Sequence, residues 1–131
     1  MSLYAIVLAA GQGTRMKSDL PKVLHTALGK PMIHWVLESV APLEPEKILV
    51  VVGHGAEAVS AALPLGTIAV HQEPQLGTGH AVQLAMAEVA DSPEDTILVV
   101  NGDMPLLGAP LLGRTIAACG GKAASLVSFR A

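Results

Sequence analysis

The 131-residue sequence contains few aromatic residues, few charges and a single cysteine. Aromatic residues make up 2% of the chain, so its core must consist of Ala, Val, Ile and Leu, which dominate the 51% apolar fraction. Charged residues amount to only 15%, which excludes a disordered chain. A net charge of -3 without any basic run excludes a nucleic-acid binder that depends on bulk charge. A polyanionic ligand would have to be bound by a few well-placed cations.

The lone Cys119 excludes a disulfide framework and a cysteine zinc site, and it is consistent with a reducing compartment. No stretch approaches the ~18 consecutive apolar residues of a membrane span. The apolar segment at residues 3–10 has no basic residue before it and continues into Gly11, so it lacks the features of a signal peptide. We therefore expect a soluble, cytoplasmic protein with neither nucleic-acid nor membrane partners.

The pattern of apolar residues predicts alternating strands and helices. Five aliphatic runs without polar alternation are typical of parallel strands that are covered on both faces: Leu3–Leu8, Lys47–Val52, Thr67–His71, Thr96–Val100 and Ala123–Phe129. Between them lie four segments with helical spacing, at Ile33–Val40, Ala56–Leu63, Val82–Val89 and Leu112–Cys119, and Pro31 suits the first position of the first helix. This order predicts one α/β domain over residues 1–131, with a doubly wound, mostly parallel, Rossmann-like sheet.

One connection is unusually long. Residues 11–30 separate the first strand from its helix, and a loop of about twenty residues inside a compact domain is usually functional. Ligands of open α/β sheets bind beyond the carboxyl ends of the strands. We therefore expect the functional residues to lie at Ala9–Lys22, Gly53–Gly55, Gln72–Thr78 and Asn101–Met104.

The first of these segments reads L-A-A-G-Q-G-T-R-M from Leu8 to Met16, followed by Leu20-Pro21-Lys22. Its small residues allow backbone N–H groups to approach an anion closely. Met16 stands where the dinucleotide fingerprint has its third glycine, and no Walker A sequence follows. The loop carries two cations of interest, Arg15 and Lys22. The alternative is a glycine-rich turn with two solvated side chains.

Two further motifs follow the glycine loop in order: Gln72-Glu73-Pro74-Gln75-Leu76-Gly77-Thr78-Gly79-His80-Ala81 and Asn101-Gly102-Asp103-Met104-Pro105-Leu106. Together the three motifs resemble those of the sugar-phosphate nucleotidyltransferases. The block Leu20-Pro21-Lys22-Val23-Leu24-His25, together with the second and third motifs, is most similar to the corresponding segments of the bacterial bifunctional N-acetylglucosamine-1-phosphate uridylyltransferases. The resemblance implies a nucleotide-diphospho-sugar transferase fold. It also implies the transfer of UMP from UTP to N-acetylglucosamine 1-phosphate, with release of pyrophosphate and a role in peptidoglycan synthesis for the cell wall.

The resemblance also implies a role for each site residue. The loop around the triphosphate comprises Leu8, Ala9, Ala10, Gly11 and Gly13. Arg15 and Lys22 face the phosphates as the catalytic cations. The residues that read the uracil are Gln72, Gly77 and Thr78, while Asn101 and Gly102 line the nucleotide site and Asp103 binds Mg²⁺.

Structural roles for some of these residues remain open. Asp103 is also suited to capping the turn that follows its strand, and Thr78 to N-capping a helix. His25 and His80 lie within the motifs, but we assign neither a role in proton transfer.

The resemblance covers only the front part of that family's uridylyltransferase domain. In the family, most sugar contacts and a second Mg²⁺ ligand lie beyond the position of Ala131. We therefore expect a nucleotide half-site with weak or absent turnover. The final aliphatic segment, residues 123–129, has almost no charge to protect a strand edge, so we also expect self-association.

Three other functions remain open. A related guanylyl- or cytidylyltransferase shares the glycine loop, but Q-L-G-T-G-H-A argues against it. A non-catalytic nucleotide-binding module is a second alternative. A nicotinamide dehydrogenase is the third, and it is disfavoured by Met16 and by the lack of an acidic residue after Val52 and Gly53.

Overall fold

The computed structural model describes residues 3–11, 20–74, 76–89, 95–105 and 108–119. Six strands occur among these residues: β1 Leu3–Ala9, β2 Thr26–Ala27, β3 Lys30–Pro31, β4 Lys47–Val52, β5 Thr67–His71 and β6 Thr96–Asn101. The helices are α1 Met32–Val40, α2 Ala56–Ala62, α3 Thr78–Met86 and α4 Ala109–Cys119. Four of the strands form a parallel sheet in the order β5-β4-β1-β6, and β2 and β3 form a small antiparallel hairpin.

Strand β1 lies inside the sheet, between β4 and β6. Its residue Val7 pairs with Val50 on one side and with Val100 on the other. Both faces of β1 are buried, since Ala5 and Ile6, which point to opposite faces, are each 0% exposed. A strand in this position must be aliphatic throughout, which is why its sequence shows no polar alternation.

Helices cover both faces of the sheet. One core cluster joins Val7, Val50 and Val100 to residues of α1, α2 and α4, with Ile33 of α1 and Leu112 of α4 among them. The other cluster joins the opposite face of β1 and β4 to Ala81, Ala85 and Val89, on and just after α3. The connection that contains α3 therefore passes over the face opposite α1 and α2, and the expectation of a doubly wound, parallel α/β sheet is confirmed.

The predicted elements are close to the observed ones. Four predicted strands are present, two of them one residue longer at the carboxyl end, and the fifth, at residues 123–129, lies outside the described residues. Helix α3 begins at Thr78, before the predicted Val82, because a helix needs no apolar residue in its first exposed turn. Pro31 is the N-cap of α1 instead of its first residue, since its ψ of 139° is still extended.

The expectation of a twenty-residue loop is wrong in its second half. A 3₁₀ turn at Lys22–Leu24 and the β2–β3 hairpin occupy that part of it. The hairpin turns at Leu28 and Gly29, both of which have positive φ, and leucine rarely adopts that conformation. The indole N–H of Trp35 donates to the Ala27 carbonyl at 2.7 Å, so a tertiary contact holds a turn that local sequence disfavours.

In the part of the chain that the structure describes, no helix is both long enough and apolar enough to cross a membrane.

A close approach of two loops positions the residue before Lys22. Gly55 has φ +65°, and a Cβ atom there would lie 2.2 Å from Cγ of the buried Pro21. Contact between Pro21 and the loop after β4 therefore requires glycine at position 55. This contact brings the start of the Lys22–Leu24 turn against the sheet.

We expect Gly55→Ala to destabilise the protein more than Gly29→Ala. Gly29 has φ +80° but open space where a Cβ would lie, so its substitution tests backbone strain alone, at about 1–2 kcal/mol. At Gly55 the displacement of Pro21 adds roughly 1–3 kcal/mol. Urea unfolding of both variants measures the difference, and equal losses of stability would show that the Pro21 contact contributes nothing.

Candidate functional site

A cavity of about 390 Å³ lies at the carboxyl ends of β1, β5 and β6. This volume is in the range of small-molecule sites, and the cavity lies where the strand order reverses around β1. Its lining comes from the end of β1, the Lys22–Leu24 turn, the segment from β5 to α3 and the end of β6, namely Leu8, Ala9, Ala10, Gly11, Lys22, Val23, Gln72, Gly77, Thr78, Ala81, Asn101 and Asp103.

Backbone hydrogen bonds tie the strand ends together. The N–H of Gly102 donates to the carbonyl oxygen of Leu8 at 2.9 Å, and the N–H of His54 donates to that of Ala10 at 3.3 Å. The N–H of Gln72 donates to the Val52 carbonyl at 2.8 Å. The segments after β1, β4, β5 and β6 are thus held in a fixed arrangement, as a preorganised site requires.

Gly102 lies beside the cavity, in close contact with its lining. A Cβ atom on Gly102 would lie 3.0 Å from Cγ1 of Val23 and 3.1 Å from the carbonyl oxygen of Leu8. The lack of a side chain therefore allows the chain after β6 to pass close to both of these residues. As a result, the next residue, Asp103, reaches the cavity.

Lys22 and Asp103 form an ion pair in the lining of the cavity. Their Nζ and Oδ2 atoms are 2.8 Å apart, and the two side chains are 40% and 30% exposed. Among the residues that the structure describes, the Asp103 carboxylate thus has a lysine partner and no bond that caps the following turn. A cation and an anion side by side offer complementary charges to a ligand that brings phosphates together with a metal ion.

The acidic part of the site fits a metal ion that a phosphate ligand also coordinates. Within the described ranges, no group of three or more His, Cys, Asp or Glu residues is arranged to hold a metal. Mg²⁺ commonly binds one or two carboxylates and takes its other ligands from water and phosphate oxygens. The single carboxylate of Asp103 matches that mode of binding and does not match an all-protein metal cage.

Gln72 is a buried polar residue at the other side of the cavity. It is 4% exposed, and its Nε2 lies 3.0 Å from the carbonyl oxygen of Gly77 and 3.0 Å from Nδ1 of His80. Gly77 has φ +103° and ψ 178°, a conformation suited to glycine. Thr78 is already helical, so the hypothesis that it N-caps α3 is wrong and Gly77 takes that position.

Most of the predicted site residues lie at this one cavity. Ten of them line the cavity, and Gly102 contacts its wall. Gly13 and Arg15 lie outside the described residues, so their predicted positions stay predictions. Which ligand these residues bind also remains a prediction.

Sequence reasoning missed three residues. Val23 and Ala81 line the cavity, and His80 contacts Gln72. Val23 and Ala81 lie inside the segments used for the prediction, but apolar residues carry no chemical signal of their own. His80 was visible within its motif, but its partner is set by the fold.

Comparison with protein families identifies one matching domain. Residues 5–131 match the family described as the MobA-like NTP transferase domain. This match covers nearly the whole chain.

Curated relatives are similar over most of this chain. The chain is 51% identical over 114 residues to the bifunctional protein GlmU of Rubrobacter xylanophilus, covering 87% of the chain and 24% of the relative. It is 50% identical over 130 residues to the bifunctional protein GlmU of Bordetella petrii, covering 97% of the chain and 28% of the relative. The chain therefore spans about a quarter of the length of these relatives. The resemblance inferred from the three motifs is confirmed.

Solved structures share the fold. A nucleotidyl transferase from Methanothermobacter thermautotroptrophicus superimposes with a TM-score of 0.78 at 25% identity, over 88% of this chain and 57% of the other. The protein Rv0371c of Mycobacterium tuberculosis gives 0.73 at 28% identity, over 88% and 59% of the two chains. A complex of Rv0371c with manganese superimposes with a TM-score of 0.71 at 28% identity, over 89% of this chain and 59% of that chain. This structural neighbour thus binds manganese.

We expect Lys22→Met and Asp103→Asn each to change the free energy of unfolding by less than about 1 kcal/mol. Both side chains are partly exposed, and ion pairs of this kind stabilise a fold only weakly. Urea unfolding of the two variants checks this expectation. A loss of several kcal/mol in either variant would indicate that the pair is mainly structural.

Proposed function

The chain belongs to the MobA-like NTP transferase domain family, and from this premise we propose that it binds UTP for the transfer of UMP to N-acetylglucosamine 1-phosphate. The observation that carries the proposal is that one cavity is lined both by Gln72, just after β5, and by the Lys22–Asp103 pair, next to β6 at the other edge of the sheet. A nucleoside triphosphate likewise has an uncharged base at one end, which an amide can bind, and charged phosphates at the other end, which an ion pair can bind. The similarity to GlmU proteins supports uridylyl transfer to this sugar phosphate in particular.

The proposed reaction needs no protein base. A phosphate oxygen of the sugar phosphate attacks the α-phosphorus of UTP, and the bond from that phosphorus to the bridging oxygen breaks. The electron pair leaves with pyrophosphate, and UDP-N-acetylglucosamine forms. Because the attacking oxygen is already anionic, the protein's task is to align the reactants and to neutralise charge.

Lys22 and Arg15 are the residues proposed to neutralise the phosphates. The ammonium group of Lys22 lies at the cavity and is partly exposed, so it can exchange Asp103 for a phosphate oxygen. Arg15 belongs to the same loop of the sequence and stays a prediction. Each well-placed donor of this kind contributes about 3–4 kcal/mol to transition-state stabilisation.

We propose that Asp103 holds Mg²⁺ together with the triphosphate. Its carboxylate at the cavity supplies the hard oxygen ligand that this ion prefers. When bound, Mg²⁺ supplies charge neutralisation at the phosphate oxygens. Ala9, Ala10 and Gly11 have little or no side chain, which leaves space for the triphosphate next to the backbone.

The proposal also includes the binding of the uracil base. We place the base against Gln72, Gly77 and Thr78, with Leu8, Asn101 and Gly102 close to the rest of the nucleotide.

The product is a precursor of peptidoglycan, and we place its synthesis in the cytoplasm. Self-association through residues 123–129, which lie outside the described part of the chain, also remains a proposal.

Other nucleotides remain the main alternative. An inositol-1-phosphate CTP transferase of T. maritima shares the fold, with a TM-score of 0.63 at 27% identity over 76% of this chain and 43% of that chain. A thermal-shift panel of UTP, CTP and GTP with and without Mg²⁺ distinguishes these ligands, since a selective ligand raises stability by mass action. A non-catalytic binding module would show the same shift with UTP, so a measurement of turnover is needed to separate it from an enzyme.

The decisive experiment measures pyrophosphate release from UTP in the presence of N-acetylglucosamine 1-phosphate. Release that depends on both substrates supports transfer of UMP. UTP binding without any release would reduce the proposal to a nucleotide-binding half-site.

We expect Lys22→Ala to weaken the binding of UTP by about 10- to 100-fold while leaving uridine nearly unchanged, because a charged hydrogen bond to phosphate is lost. Arg15→Ala is expected to behave in the same way. Isothermal titration with both ligands measures the effect. Lys47→Ala is a matched control, because the Lys47 ammonium bonds to the Glu88 carbonyl and does not line the cavity. Equal weakening of uridine and UTP would argue against a phosphate role.

We expect Asp103→Asn to bind UTP with little or no dependence on Mg²⁺. The amide is nearly isosteric with the carboxylate but lacks its charge, so metal binding is lost while local shape is kept. Titrations of UTP at several Mg²⁺ concentrations test this expectation. Full Mg²⁺ dependence in the variant would leave Asp103 without a metal role.

A further inference from the structure

The amide group of Gln72 has a defined direction. A carbonyl oxygen only accepts hydrogen bonds, so the group that faces the Gly77 carbonyl at 3.0 Å must be the NH₂ of Gln72. The amide oxygen Oε1 takes no part in that bond. With the side chain 4% exposed, a reversed amide would bring two oxygens together in a buried place, which is costly.

The same NH₂ group also determines how His80 must be protonated. Its second hydrogen points to Nδ1 of His80, which lies 3.0 Å from Nε2 of Gln72. Nδ1 therefore accepts this bond, and the neutral imidazole carries its hydrogen on Nε2. Two acceptors, one from Gly77 and one from His80, thus hold both hydrogens of the NH₂ group, and neither bond uses Oε1.

We propose that His80 is a positioning residue that sets base selectivity by holding Oε1 of Gln72 available to the ligand. An oxygen acceptor at this place favours a pyrimidine that presents an N–H at position 3, as uracil does. Cytosine in the same register presents a lone pair, which Oε1 repels. This inference rests on the proposed function, and it assigns His80 a role in specificity instead of proton transfer.

The test compares the affinities of UTP and CTP for four proteins: the unmodified chain, His80→Leu, His80→Asn and His71→Leu. Leucine removes the acceptor at position 80, whereas the side-chain oxygen of asparagine can replace Nδ1. His71 is an exposed residue just before Gln72, so His71→Leu is a matched control for the loss of a nearby imidazole. Inorganic tripolyphosphate serves as a probe that lacks a base.

We expect His80→Leu to reduce the UTP-to-CTP affinity ratio by about tenfold, the size of one hydrogen bond in a buried site. Tripolyphosphate binding should stay unchanged in all variants. His80→Asn and His71→Leu should keep the ratio of the unmodified chain, because the first restores an acceptor and the second touches neither partner. A purely structural role for His80 would weaken all three ligands together, and that result would overturn the proposal.

Failure of this inference is distinguishable from failure of the proposed function. If the unmodified chain binds UTP and CTP equally, the result contradicts both the uridylyl specificity and the role of His80. If it prefers UTP and His80→Leu keeps that preference, only the role of His80 falls.

A measurement on the unmodified chain covers the case in which the leucine variant does not fold. Nitrogen NMR of the imidazole should show Nδ1 of His80 without hydrogen and Nε2 with it. A hydrogen found on Nδ1 would overturn the proposal.

Discussion

The structure depends on the burial of β1 between two strands and two layers of helices. A strand with neighbours on both edges and helices on both faces has only its ends free to meet a ligand. The amino end of β1 is far from the cavity, and its carboxyl end supplies Leu8 and Ala9 to the lining. The site therefore lies at the carboxyl end of β1, because the edges and faces of this strand are covered by other elements.

Close packing at the carboxyl end of β1 shapes the walls of the cavity. Gly102 fits against Leu8 and Val23 only because it lacks a side chain, and Gly55 fits against Pro21 for the same reason. Both contacts bring a loop near the end of β1. A larger residue at either place would push apart the segments that carry Lys22 and Asp103.

The cavity has two chemically different sides, as the proposed binding of a nucleotide requires. On one side, Lys22 and Asp103 form an ion pair with a distance of 2.8 Å between Nζ and Oδ2, and both side chains are partly exposed. On the other side, the Nε2 of the buried Gln72 amide lies 3.0 Å from both the Gly77 carbonyl oxygen and Nδ1 of His80. A weak, partly exposed ion pair is able to exchange partners, whereas a buried amide with two bonds keeps a fixed orientation.

The sequence by itself determined the central strands, the doubly wound order and the segments of the site, because long aliphatic runs and glycine-rich strand ends are local signals. Only the tertiary structure decided that Lys22 meets Asp103, that His80 holds Gln72 and that Leu28 turns a hairpin. Each of these depends on contacts between residues that separate elements bring together, or on a local conformation that the residue itself disfavours. Propensity and spacing describe one segment at a time, so the partner that a side chain meets across the cavity is decided by the packing of the sheet.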